Sequence, residues 1–309
     1  MSEFIQHTIN GLSLGSIYAL VALGYTMVFG VLQLINFAHG DLFMMGAFIG
    51  FYFIRLIHFF FGHDSSSLSS PSGVLFSMTV IVVSMLGTAL LGMVMERLAY
   101  RPLRKSPRIN LLITAIGVSL FLEYGGQLLF GASPEFFPTI LSKQAIALPG
   151  GVILDSTQVL IFSTAVVLML LLHFLVFKTQ FGRSMRAISH SLEHASLIGI
   201  NVNKVIMITF MISSALAGAA GVMYSISYPK IDPLMGLLPG LKAFVAAVLG
   251  GIGNIKGALL GATLLGLAET YVAGYISSSY RDALAFLVLI VVLLLRPSGI
   301  LGSKKIEKV

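Results

Sequence analysis

The chain contains no cysteine and no tryptophan, and charged residues are scarce. Only 10% of its 309 residues are Asp, Glu, Lys or Arg, whereas a soluble domain has roughly 25%. The lack of cysteine excludes disulfides, thiolate metal sites and cysteine nucleophiles. Without tryptophan, the aromatic belts of a membrane protein would have to consist of Tyr and Phe.

Phosphate-binding and catalytic motifs are missing as well. The glycine-rich stretch 250–257 reads GGIGNIKG, which has neither the G-x-x-x-x-G-K-[ST] spacing of an ATP-binding loop nor a Ser or Thr after its lysine. The patterns H-E-x-x-H and G-x-S-x-G do not occur, and the seven histidines are scattered. The sequence therefore predicts no catalytic residue, no metal site and no bound cofactor in this chain.

Long apolar runs are what the chain does have. Hydrophobic residues make up 57% of it, and the mean hydropathy is +0.96. A helix needs about 20 apolar residues to cross a bilayer. We therefore predict an all-α polytopic membrane protein in which residues 1–309 form a single transmembrane domain of about eight helices. The predicted spans are 8–30, 41–61, 74–95, 110–130, 155–177, 205–227 and 282–296, together with 241–273, which is broken at 250–257.

The basic residues predict the orientation of the spans. The net charge of +7 is interpreted as a bias toward cytosolic loops and not as a nucleic-acid-binding surface, because most of the 19 Lys and Arg residues lie in 96–108, in 178–204 and in the tail from Arg296. The stretches 62–73, 131–154 and 228–240 should then lie on the opposite side. Alternation of the spans predicts an external N-terminus, unless 31–40 is re-entrant, which would leave the N-terminus inside.

Two interrupted segments are candidates for a translocation pathway, since broken helices in the two halves of a chain are typical of transporters. The first contains the densest polar cluster near membrane depth, and the alternative interpretation is an ordinary solvated turn. The second lies within the glycine-rich break. The candidate residues are Asn36, His39, Gly40, Asp41, Gly253, Asn254 and Gly257.

Further charged residues lie within predicted spans. We expect Glu123 and Glu269 to face the bundle interior, with Lys242 and Lys256 as candidates for partnership or snorkelling. Structural pairing or an interfacial position is favoured over an ion relay. The alternative function is an ion-coupled secondary amino-acid transporter that uses Asp41, Glu123 or Glu269, although the sequence shows no clear carboxylate pair across spans.

The longest polar run is the stretch 178–204. Its portion 184–198 predicts one or two short amphipathic helices, and Gly199 suits the position just after a helix C-terminus. Such a helix either lies on the cytosolic leaflet or inserts its apolar side into a groove on a partner protein.

Within this run, EHASLIG at 193–199 resembles the E-A-A-x-x-x-G loop of permeases in bacterial ABC importers, with His194 in place of the middle alanine. Longer stretches at 15–48, 96–104, 183–201, 214–225 and 293–302 are similar to the branched-chain amino acid permeases, in particular to their smaller, H-type membrane subunit. The resemblance implies that the 178–204 loop docks onto an ATPase subunit. The residues implied in this coupling are Arg183, Arg186, Glu193, His194, Ala195 and Gly199.

The same resemblance implies a set of partners. These are a second, M-type permease subunit, two cytosolic ATPase subunits that hold ATP and Mg, and a periplasmic amino-acid-binding protein. It also implies a multi-pass protein of the bacterial inner membrane that is not itself an enzyme. No residue of the sequence is identifiable as a contact for leucine, isoleucine or valine.

Overall fold

A computed structural model describes residues 2–61, 70–104, 106–141, 145–148 and 151–302. Lys105, most of the predicted loop 62–73, part of 131–154 and the basic tail beyond residue 302 lie outside the described residues.

Helices dominate the described part of the chain. In chain order they are α1 Ser2–Leu32, α2 His39–Phe61, α3 Ser70–Met95, α4 Arg101–Leu103, α5 Arg108–Phe130, α6 Ser156–Lys178, α7 Gln180–His190, α8 Leu192–Leu197, α9 Val202–Ser227, α10 Leu237–Gly250, α11 Ile255–Tyr275 and α12 Arg281–Leu295. A π-helical turn, Glu96–Tyr100, joins α3 to α4, and a 3₁₀ turn, Ser278–Tyr280, precedes α12.

Among the described residues, eight helical segments are long and apolar enough to cross a membrane, and α10 is a shorter apolar helix of 14 residues. This confirms the predicted all-α polytopic fold. Four short strands were not predicted: β1 Glu135–Phe136 pairs with β4 Lys230–Ile231, and β2 Ala145–Leu148 forms a hairpin with β3 Val152–Asp155. The β1–β4 pair joins two stretches that were predicted to lie on the same side of the membrane.

Helices α1 and α9 form the centre of the bundle, whereas α12 is peripheral. Within the most apolar window of each helix, 89% of the α1 residues are buried, but only 6% of the α12 residues. Small residues allow this packing. A side chain at Gly15 would meet the backbone of α11, and one at Gly46 in α2 would overlap Gly218 in α9.

Contacts between distant parts of the chain define two ends of the bundle. Gln33, just after α1, donates to the carbonyl of Ser189 at 3.3 Å, and Arg104 donates to Asn203 at 2.8 Å. These contacts bring the basic stretches 96–104 and 178–204 together at what we call the basic end. At the other, outer end, the Ile153 amide donates to Gln6 near the start of α1 at 2.9 Å. The N-terminus therefore lies opposite the basic end, as alternation predicted.

The chain between α1 and α2 turns back into the bundle. His39, the first residue of α2, packs against Gly24, which lies eight residues before the end of α1. Eight helical residues rise about 12 Å. The segment 33–38, which we call re-entrant because it turns back into the bundle, is therefore not the ordinary solvated turn, and that interpretation is wrong. The expectation that re-entrance would leave the N-terminus inside is also wrong, because α2 continues toward the outer end.

The predicted break at 250–257 separates two helices, α10 and α11. It lies at the basic end, where Asn254 donates to the Leu301 carbonyl at 2.8 Å. The other end of α10 is the unexpected one. Gly236 and Gly240, at the start of α10, pack against Gly40 inside the bundle, so the predicted outer loop 228–240 also dips into the protein.

Candidate functional site

The re-entrant segment carries polar side chains into the bundle interior. Asn36 is 2% exposed and accepts a 2.6 Å hydrogen bond from the hydroxyl of Tyr100, and His39 is fully buried. Nδ1 of His39 lies 3.5 Å from the Ser213 hydroxyl, and its ring packs edge-on against Tyr25. Asn36 Nδ2 and His39 Nε2 have no hydrogen-bond partner in the described structure. Buried polar groups in this state mark a segment whose packing is not optimised for stability alone.

Asp41 continues this polar surface on the first turn of α2. It is 2% exposed and accepts a 2.5 Å hydrogen bond from the Ser119 hydroxyl of α5. Its carboxyl group also contacts that of Glu123, one turn further along α5. The sequence had suggested that no carboxylate pair crosses two spans, and that expectation is wrong. The pair lines a cavity of about 110 Å³ between α2, α5 and the start of α10.

Gly40 is where the two interrupted helices meet. A Cβ atom there would lie 2.7 Å from the carbonyl oxygen of Gly236 and 3.2 Å from the Cα of Gly240. Such separations are below van der Waals contact, so only glycine fits. The N-terminal turns of α2 and α10 are thereby held in direct backbone contact inside the bundle.

The other predicted pathway residues lie apart from this cluster. Gly253 has a φ of +91° and is exposed at the basic end, and the Asn254 side chain caps α11 by accepting from the amides of Lys256 and Gly257. Gly257 allows close contact with the carbonyl of Gly250. These three residues therefore lie in or next to the turn between α10 and α11. Their role in a translocation pathway stays a prediction.

The 178–204 loop folds into α7 and α8, as its pattern predicted. Gly182, Met185 and Ile188 form the buried face of α7. Arg183 and Arg186 are both exposed, and Arg186 also donates to the Val176 carbonyl and lies 5.8 Å from the centre of the Phe177 ring. Arg186 therefore contacts α6 of its own chain, which its predicted role in coupling did not anticipate.

Helix α8 projects most of its surface away from the bundle. Ala195 is buried, whereas Glu193, His194, Leu197 and Ile198 are exposed. Gly199 has a φ of +83°; its amide donates to the Ser196 carbonyl, and the Ile200 amide donates to the Ala195 carbonyl. This is the Schellman arrangement of a helix C-terminus, and it confirms the predicted position of Gly199.

A network at the basic end was missed by sequence reasoning. Glu96, 1% exposed, forms a salt bridge with Arg104, which also donates to Asn203 in the first turn of α9. Burial lowers the pKa of Arg104 to about 10, so its side chain remains charged at neutral pH. The π-helical turn between Glu96 and Tyr100 offered no recognisable sequence signal, although such turns often occur at functional positions.

A second charged cluster lies toward the outer end. The ammonium group of Lys242 on α10 lies 3.1 Å from Glu269 on α11 and 2.7 Å from Asp282 on α12. The hydroxyl of Tyr18 donates to the same Glu269 oxygen at 3.1 Å. The predicted pairing of Lys242 with a buried carboxylate is therefore present, and it joins four helices.

Comparison with known sequences is decisive for the family. The pattern of the family described as "Branched-chain amino acid transport system / permease component" matches residues 7–293. The chain belongs to this permease family. The permease is 42% identical over 310 residues to BraD of Pseudomonas aeruginosa, covering 99% of this chain and 98% of that protein.

Two further relatives extend the comparison. The permease is 40% identical over 309 residues to LivH of Escherichia coli K12, with 99% and 98% of the two chains covered. It is 28% identical over 314 residues to a probable LivH of Methanocaldococcus jannaschii, with 95% and 91% covered. BraD and LivH of E. coli are named as permease proteins of high-affinity branched-chain amino acid transport systems. The permease is therefore a multi-pass protein of the bacterial inner membrane and a component of a transport system with further subunits.

Proposed function

We propose that the permease is one membrane-spanning subunit of an ATP-driven importer for leucine, isoleucine and valine. The observation that carries this proposal is the 40–42% identity, over nearly the whole chain, to proteins named as permeases for branched-chain amino acids. The buried carboxyl pair Asp41–Glu123 is compatible with ion coupling, but the family relationship favours the ABC importer over a secondary transporter.

An importer of this kind needs further subunits for the functions that this chain does not provide. The permease pairs with a second, M-type membrane subunit, two cytosolic ATPase subunits bind ATP and Mg, and a periplasmic binding protein delivers the amino acid. The sequence has no loop of the kind that binds ATP, which supports a chain that catalyses no hydrolysis and binds no cofactor itself.

The exposed surface of α8 suits the contact with an ATPase subunit. Leu197 and Ile198 are 81% and 73% exposed at the end of the helix that projects from the basic end. Isolated apolar side chains of this kind fit a groove on a partner protein. Glu193 and His194 are exposed polar side chains of the same helix, Arg183 is exposed on the preceding α7, and the buried Ala195 anchors α8 to the bundle.

Helices that pack against one another would transmit a movement of the 178–204 loop to the translocation pathway. Helix α9 follows the loop directly and packs against α1, α2 and α3. Closure of the ATPase subunits on ATP displaces α8 and α9, and the two permease subunits exchange an inward-facing for an outward-facing packing. The candidate pathway runs beside the re-entrant segment at Asn36, His39, Gly40 and Asp41.

Copurification tests the assembly. A tagged chain, coexpressed with its neighbours in the transport system, should retain a second permease and two copies of ATPase subunit. Charge reversal by Glu193→Lys should leave the chain in the membrane and abolish leucine uptake, whereas Lys256→Glu, at an exposed position of the basic end outside the loop, should not. Normal uptake in the Glu193→Lys complex would refute docking through α8.

A further inference from the structure

Two cavities at the outer end of the permease border each other. The first has a volume of about 490 Å³ and reaches from His7 and Asp155 at the outer rim to Arg281. The second, about 320 Å³, continues from Arg281 to Lys242. Both volumes fall within the range of small-molecule sites, about 300–1,000 Å³. Four residues line both cavities: Leu14, Tyr228, Ser278 and Arg281.

The inner cavity combines charges of both signs with apolar walls. Lys242 and Arg281 contribute positive charges, and Asp282 contributes a negative charge. The remaining lining is apolar or aromatic: Leu14, Tyr18, Tyr224, Tyr228, Leu238 and Pro239, with Ser278 at the boundary. A cavity with this lining is suited to a small molecule that carries both charges and an aliphatic group.

Arg281, which lines both cavities, has one side-chain atom that the described structure leaves without a partner. Its Nε is buried and has no hydrogen-bond partner in the described structure. It is also the first residue of α12, where the helix dipole disfavours a cation. Lys242, by contrast, is held by Glu269 and Asp282. An arginine kept at an unfavourable position beside a cavity is available to bind an anionic group, and its guanidinium matches a carboxylate in two-point geometry.

We propose that the inner cavity binds the zwitterion of an aliphatic amino acid on its way through the permease. Arg281 binds the substrate carboxylate, and Asp282, whose side chain is 52% exposed, binds the ammonium group while it remains in contact with Lys242. Leu14, Leu238 and Pro239 contact the aliphatic side chain. This inference rests on the proposed function, because it assigns a substrate position within the same importer.

Charge balance supports a zwitterion over a simple anion. Lys242 and Arg281 are matched by Glu269 and Asp282, and the positive charge of Arg281 also acts on Glu269. A cluster that is neutral as a whole accommodates a neutral dipolar ligand without leaving a net charge buried, which would be costly. A phosphate or a fatty acid anion would leave such a charge.

A single cysteine tests the site directly, because the natural chain has none. In the assembled complex, Ser278→Cys places an exposed thiol on the boundary between the two cavities. Leucine should slow its reaction with a membrane-impermeant thiol reagent by at least about fivefold when the cavity is mostly occupied. Leucine methyl ester, 4-methylpentanoate and inorganic phosphate should not. A cysteine at Lys230, exposed at the outer end but outside both cavities, should react equally with and without leucine.

Further variants connect the protection to the named charges. Arg281→Gln and Asp282→Asn, each added to Ser278→Cys, should abolish the protection by leucine, with Arg281→Lys restoring part of it. Lys230→Ala should leave the protection intact. If Arg281→Gln fails to accumulate in the membrane, the Asp282→Asn variant and the comparison of leucine with its analogues still test whether the cavity binds a zwitterion.

The outcomes separate this inference from the proposed function. Leucine uptake without any protection of the cysteine overturns the site and leaves the importer standing. Protection by leucine in a complex that takes up no leucine supports the site and contradicts the importer. Equal protection by 4-methylpentanoate or phosphate overturns the zwitterion site, because a simple anion would then suffice.

Discussion

At the residue scale, several ionisable groups inside the permease contact one another. Asp41 contacts Glu123, Glu96 contacts Arg104, and Lys242 lies between Glu269 and Asp282. An isolated charge in this environment would cost several kcal/mol, so removal of one partner harms the other. Each pair can therefore be tested by comparing a variant that keeps the hydrogen bond with one that removes it.

Glu123 offers such a comparison. Two carboxyl groups can share a hydrogen bond only if one of them carries a proton, and an amide can donate in its place. Glu123→Gln should therefore keep the contact with Asp41 and leave the melting temperature of the solubilised complex nearly unchanged. Glu123→Leu leaves Asp41 without this partner and should cost about 1–3 kcal/mol. Equal melting temperatures for both variants would show that the contact contributes nothing to stability.

Gly40 is the second residue whose role is defined by a distance. A methyl group at Gly40 would lie 2.7 Å from the Gly236 carbonyl oxygen, in backbone that cannot yield easily. Gly40→Ala should therefore destabilise the permease by about 1–3 kcal/mol and lower its melting temperature. Gly117→Ala in α5 is the matched control, because a Cβ there meets nothing within 4 Å and alanine favours the helix. A Gly40→Ala protein as stable as the control would contradict the close contact.

At the element scale, local features could be predicted from the sequence and long-range ones could not. The end of α8 at Gly199 follows from a pattern of a few adjacent residues. Asp41 and Glu123 lie 82 positions apart in the sequence, and their contact joins α2 to α5. The periodicity of apolar residues along a helix does not show which face of another helix it packs against. The start of α10 was mistaken for part of a loop because Pro233, Gly236, Pro239 and Gly240 are typical of turns.

The end of α8 yields a prediction about backbone conformation alone. Gly199 has a φ of +83°, and a side chain there would meet nothing within 4 Å. Asn adopts this conformation readily, whereas a β-branched residue does not. Gly199→Asn should keep ATP-dependent leucine uptake close to that of the unaltered complex, and Gly199→Val should reduce it severely. Because both variants add volume, equal loss in both would indicate a steric clash with the docked partner and not strain in the helix end.

At the scale of the whole molecule, two opposite ends account for the orientation in the membrane. The basic end gathers 96–104, 178–204 and 296–302, and the outer end gathers the N-terminus, the β-strands and the two bordering cavities. The distribution of Lys and Arg was sufficient to predict this polarity. The re-entrant segment 33–38 was recognised only as one of two possibilities, since polar residues after a span are equally typical of a solvated turn.

The orientation can be measured because the natural chain has no cysteine. Single cysteines at the exposed positions Glu3 and Ala132 lie at the outer end, and one at Lys204 lies at the basic end. A membrane-impermeant thiol reagent should label Glu3→Cys and Ala132→Cys in intact spheroplasts, and Lys204→Cys only in inside-out vesicles. The position of Glu3 is the informative one. If it reacts together with Lys204 instead of Ala132, α1 does not cross the membrane, and the contact between Gln6 and Ile153 cannot form as described.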